Sequence, residues 1–87
     1  MQGNKKELMD RLKRVEGQIR GIQKMIEEDR YCIDVLYQVS ASRAALKKLG
    51  MQMVRNHTRA CVANAIRQEH GDEAIDELMQ FLDKFVD

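Results

Sequence analysis

Residues 32–67 read CIDVLYQVSASRAALKKLGMQMVRNHTRACVANAIR, and this stretch decides the fold. Val35, Leu36, Val39, Leu46, Leu49, Met53, Val54, His57, Cys61 and Ala65 recur along it at helical spacing. Ser40 to Ala45 is rich in small residues, which suits tight helix packing. Gly50 is the one possible interruption. With no Pro in the chain and good helix formers on both sides, the pattern predicts a continuous helix. At about 1.5 Å per residue it spans about 54 Å. A helix of that length with an uncovered apolar stripe needs a partner chain.

Upstream, Leu8, Leu12, Val15, Ile19, Ile22 and Ile26 alternate spacings of four and three. That is one stripe of a helix from Lys5 to about Glu28, with Asn4 able to cap its start. Gly17 and Gly21 lie one turn apart within it and predict the close approach of another helix. Asp29-Arg30-Tyr31 is the break before the long helix. Downstream, His70-Gly71-Asp72 ends that helix, with His70 as a C-terminal cap. Gly71 fits the left-handed position, and Asp72 fits the N-cap of the next helix. Ile75, Leu78, Met79, Leu82 and Val86 then mark a short acidic third helix. The expected fold is all-α: one domain over residues 1–87 with three helices and a long middle one.

Composition narrows the function. A chain of 87 residues with no Trp, two Phe and two Tyr has an aliphatic core, thin enough to favour self-association. Met9, Met25, Met53 and Met79 fall on or near the stripes and read as core filler. No apolar run reaches the length of a membrane span, and the polar N-terminus resembles no signal peptide, so the expectation is cytoplasmic with reduced thiols. The net charge of +1 hides an asymmetry. Residues 1–67 carry 14 Lys/Arg against seven Asp/Glu, or +7, and residues 68–87 carry one against seven, or −6. The basic part is large enough to bind a polyanion, and association would multiply it. There is no Gly-rich phosphate loop, no Ser/His/Asp arrangement and no sheltered carboxylate pair, so the chain does not read as an enzyme with a small-molecule substrate.

Three side chains carry the chemistry: Cys32, His57 and Cys61. His57 and Cys61 are i and i+4, so one helix face presents an imidazole and a thiol a single turn apart. Cys32 is the natural third ligand, yet it lies roughly 37 Å from His57 along a continuous helix. Antiparallel pairing of two such helices brings Cys32 of one chain beside His57 and Cys61 of the other, giving two equivalent sites. Two thiolates and an imidazole form a soft set of three. Structural zinc prefers four ligands, so Cu(I) is favoured, although water or Glu could complete a zinc shell.

Motifs across nearly the whole chain make it resemble the copper-sensitive operon repressors (CsoR) and their relatives that sense nickel, cobalt, formaldehyde or persulfide. They are Arg11 to Ile22, Tyr31 to Leu36, Gln38 to Ala41, Asn56 to Cys61, and His70 to Leu78. The resemblance implies an antiparallel four-helix-bundle dimer, two of which stack into a homotetramer. It implies an apo form that binds operator DNA and is released by Cu(I), derepressing efflux genes. Cys32, His57 and Cys61 match the Cu(I) ligands of the copper branch. Tyr31 and Glu77 match residues that surround the ligands and couple them to a neighbouring helix. Arg11 and Lys48 match DNA-contacting positions, with Lys13, Arg14 and Lys47 as neighbours. Recognition would use a broad basic surface, with phosphate contacts and DNA shape dominant. Nickel sensors recruit an earlier His, which this chain lacks before His57. A thiol sensor using Cys32 and Cys61, a nickel sensor, and a copper buffer with no DNA role are the competing expectations.

Overall fold

A computed structural model of the chain describes residues 5–85, with His57 described by its backbone alone. Four helical elements follow one another: α1 (Lys5–Glu27), α2 (Cys32–Met53), α3 (Arg59–Arg67) and α4 (Gly71–Phe85). A π-helical turn, Val54–Thr58, joins α2 to α3. No non-helical residue interrupts positions 32–67, so three helical runs emerge, as the periodicity predicts. Gly50 does not break the middle run, but the run is not uniformly α-helical. Asn4 and Val86 lie outside the described residues.

The chain divides into two compact units, residues 1–50 and 51–87. In the first, α1 and the adjoining part of α2 form an antiparallel hairpin. Its seam is set by Leu8 and Val15 on α1 and by Ser42 and Leu49 on α2, all buried. The Ser42 hydroxyl donates to Oε1 of Gln18 across the seam at 3.1 Å. Leu8, Val15 and Leu49 are the only buried hydrophobic residues among those described. Burying an aliphatic side chain contributes about 1.5–3 kcal/mol, so this chain alone leaves most of its apolar material unused. Met9, Leu12, Ile19, Ile26, Leu36, Val39 and Leu46 all stay exposed. Ion pairs one turn apart, Lys6–Asp10, Glu7–Arg11 and Glu16–Arg20, line the outside of α1 and add little individually.

Both turns between helices are built alike. At the end of α1, the Arg30 N–H donates to Met25 O (2.9 Å) and the Asp29 N–H to Ile26 O (3.1 Å). At the end of α3, the His70 N–H donates to Ala65 O (2.8 Å) and the Glu69 N–H to Ile66 O (3.1 Å). Each is a Schellman closure, which places a left-handed residue just past the helix. Those residues are Asp29 (φ 52°) and Glu69 (φ 64°). The left-handed position expected at Gly71 is therefore two residues earlier, at Glu69. Gly71 opens α4 for a different reason: a Cβ there would stand 2.6 Å from Cγ1 of Ile66. The His70 carbonyl accepts from the Ala74 N–H (3.2 Å), so His70 closes α3 and caps α4 by its backbone. Asp72, expected as the cap, instead joins Glu73 in the first turn, where acids suit the helix dipole. Gly17 and Gly21, expected to admit another helix, have nothing within 4 Å of a Cβ placed on either.

The second unit packs α4 against α3. Phe81 and Phe85 stack on α4 with ring centroids 4.9 Å apart. No described helix is long and apolar enough to cross a membrane.

Candidate metal centre

Cys32 is the first residue of α2, and the Tyr31 carbonyl caps that end by accepting from the Asp34 and Val35 N–H groups at 3.0 and 3.2 Å. Helical geometry places Cys32 on one line with Val39 and Leu46, seven residues apart each time, and Leu36 sits beside them. Leu46 meets Met9, Leu12, Val15 and Ile19 of α1 in an open groove of about 420 Å³. Cys32 thus lies on the apolar flank that the hairpin leaves uncovered. Its thiol is free and exposed. The Tyr31 side chain is exposed as well.

Cys61 belongs to the second unit, where it is also free and exposed. It lines a concavity of about 330 Å³ with Thr58 and Val62 of its own helical run and with Ala74, Glu77, Leu78 and Phe81 of α4. Glu77, picked from the sequence as a neighbour of the ligands, shares this wall with Cys61. Thr58 and Phe81 were not singled out from the sequence. The spacing of Thr58 three residues before Cys61 is the signal that could have found it. His57 lies in the π turn, and its side chain is outside the described residues. Single π turns inside helices are frequent at functional sites.

Among the described residues, no group of three His, Cys, Asp or Glu that could hold a metal is gathered within the chain. The donor chemistry nevertheless fits a soft, low-coordinate cation, because both thiols are unoxidised and accessible.

The five basic residues divide between two sides of the hairpin. Arg11 and Arg14 share one side of α1, with Arg11 in its ion pair to Glu7 at 3.7 Å. Lys13 lies about 160° around the helix axis from Arg11 and lines the apolar groove instead. On α2, Lys48 stands on the side away from Leu46, level with Arg11 and Arg14, whereas Lys47 points away from α1.

Comparisons with known proteins identify the family. A model of the metal-sensitive transcriptional repressor family matches residues 4–84. The copper-sensing transcriptional repressor CsoR of Bacillus subtilis is 48% identical over 81 residues, which is 93% of this chain and 80% of that protein. The Cu(I)-bound structure of the copper-sensing repressor CsoR from Geobacillus thermodenitrificans matches with a TM-score of 0.85 at 48% identity, covering 100% of this chain and 94% of that one. The nickel-responsive regulator InrS matches with a TM-score of 0.75 at 35% identity, over 98% and 96%. This chain belongs to the metal-sensitive transcriptional repressors.

Proposed function

We propose that this chain is a Cu(I)-responsive transcriptional repressor acting in the cytoplasm as a homodimer and, by stacking of dimers, a homotetramer. One observation carries the reading. Cys32 lies on an apolar flank that the chain itself leaves open, and Cys61 lines a separate concavity with Glu77. A second copy covering that flank in antiparallel order joins the two half-sites. Cys32 of the partner subunit then completes a set with His57 and Cys61. Thiolates and imidazole together satisfy Cu(I), which accepts three soft ligands.

Without metal, the basic side of the hairpin holds operator DNA, chiefly through phosphates. Arg11, Arg14 and Lys48 form it, and Lys13 and Lys47, expected from the sequence to join them, lie off that side of the hairpin. Convergence of the ligands pulls on the helical run that contains His57 and Cys61. Tyr31, beside Cys32, and Glu77, beside Cys61, carry that pull into α2 and α4. Metal and DNA then weaken each other's binding by the same factor.

A nickel-responsive role is the second reading, favoured by the likeness to the nickel-responsive regulator. The two free, exposed thiols also suit a persulfide or oxidant sensor. Mixing variants decides whether the site lies between subunits. Cys32→Ala and Cys61→Ala chains should each lose tight Cu(I) binding, and refolding them together should restore one site in each mixed dimer. Failure of the mixture to recover any site, with both variants folded and dimeric, contradicts the intersubunit arrangement.

A further inference from the structure

On α2, Tyr37, Ala41, Ala44 and Lys48 succeed one another at spacings of four, three and four. They form one stripe, and Tyr37 and Lys48 differ by only about 20° around the axis. The contacts of the hairpin fix which way this stripe faces. Ser42 and Leu49 point into the seam with α1, and Leu46 opens to one side of it beside Met9 and Ile19. The stripe lies on the side of α2 away from Leu46, and its Lys48 end is level with Arg11 and Arg14, with Tyr37 about 16 Å further along the helix. Tyr37 is 70% exposed, the most exposed large side chain with apolar character among those described. Nothing in the hairpin uses its ring or its hydroxyl. An exposed aromatic with a free hydroxyl, at the far end of an alanine strip from a cation on the same face, can reach a phosphate along the same surface.

We propose that Tyr37 is a DNA-contacting residue whose hydroxyl donates to a backbone phosphate of the bound duplex. The inference rests on the repressor reading above and deepens it. Tyr37 and Lys48 are separated by about 16 Å along the helix, or roughly five base-pair steps at 3.4 Å each. Ala41 and Ala44 between them are too short to hold the helix off the duplex, so the backbone can lie close to the phosphates. Tyr37 and Lys48 then grip the strip at its two ends. Tyrosine hydroxyls are among the groups that commonly fix register on DNA through phosphate contacts. The apolar flank, which a second copy covers in the proposed dimer, is on the other side of the hairpin from this stripe.

A neutral phosphate contact and a cationic one differ in a measurable way. Removing a cation that neutralises a phosphate lowers the salt dependence of binding, whereas removing a hydroxyl does not. The test is fluorescence anisotropy of the full-length protein on a duplex of its own promoter, over a series of salt concentrations. Tyr37→Phe should weaken binding about tenfold with an unchanged slope of log K against log salt. Lys48→Ala should reduce that slope by about one per contact. The thermal midpoint and the sedimentation-derived oligomeric state of Tyr37→Phe should match the parent. Affinity within twofold of the parent overturns the assignment to Tyr37 while Lys48→Ala still supports the repressor reading. A changed oligomeric state in Tyr37→Phe overturns it in favour of a contact between copies. A parent protein with no salt-dependent affinity for the duplex overturns both.

Discussion

The two sides of the α1–α2 hairpin are made by the same pair of helices and differ in almost every respect. One side presents Cys32, Leu36, Val39 and Leu46 with Met9, Leu12 and Ile19. The other presents Arg11 and Arg14 with Tyr37, Ala41, Ala44 and Lys48. Among the described residues, only Leu8, Val15, Ser42 and Leu49 are buried in the seam between them. A two-helix hairpin with so small a seam cannot account for its own stability, so the apolar side is built to be covered. The polar side has no such need, and its short alanines and long cations suit a flat polyanion. The Cys32 thiol sits on the apolar side, so in the proposed dimer a metal bound there would report on assembly.

Charging the apolar side should give the largest effect. Leu46→Glu puts a carboxylate in the groove with Met9, Leu12 and Ile19, and a two-fold dimer carries the change twice. Loss of about 1.5–3 kcal/mol of burial for each side chain, plus desolvation of the charges, should raise the dimer dissociation constant by roughly a thousandfold or more. Sedimentation should find monomers at micromolar concentration. A variant that stays fully dimeric breaks the contrast between the two sides.

The same charge placed opposite should act differently. Ala44→Glu alters the stripe between Tyr37 and Lys48, where an acid faces DNA phosphates. Like charges brought together this way cost several kcal/mol, so promoter affinity should fall by at least tenfold while the dimer and its Cu(I) stoichiometry persist. Loss of the dimer here, read by sedimentation, shows that the two sides do not have separate partners.

Much of this contrast is legible in the sequence, and the missing parts have physical causes. The stripe Leu8–Leu12–Val15–Ile19–Ile22–Ile26 and its counterpart on α2 fix helix number and type, because a period near 3.5 leaves no alternative. The π turn at Val54–Thr58 has no such signature, since an extra residue in one turn changes hydrogen bonding without changing composition. The turn after α3 misled for a similar reason. Glycine is the expected left-handed residue, yet Glu69 takes that conformation, and Gly71 serves to avoid Ile66. For the candidate site, residue type alone names Cys32, His57 and Cys61 as a soft set. The proposed convergence across two chains is also legible, from the roughly 37 Å that separates Cys32 from His57 along one helix, whereas the concavity that Cys61 shares with Glu77 needs the fold. Lys13 and Lys47 could be set apart from Arg11, Arg14 and Lys48 only after Ser42 and Leu49 showed which face of α2 is the seam.

Metal at the thiol side must release DNA from the basic side if the two sides are coupled. Anaerobic Cu(I) titration of the protein bound to its own promoter duplex, monitored by fluorescence anisotropy, measures this directly. Release complete at one Cu(I) per subunit, and abolished by His57→Ala, is the expected result. Tight Cu(I) binding with the duplex still fully bound would contradict it and turn attention to nickel or persulfide as the signal.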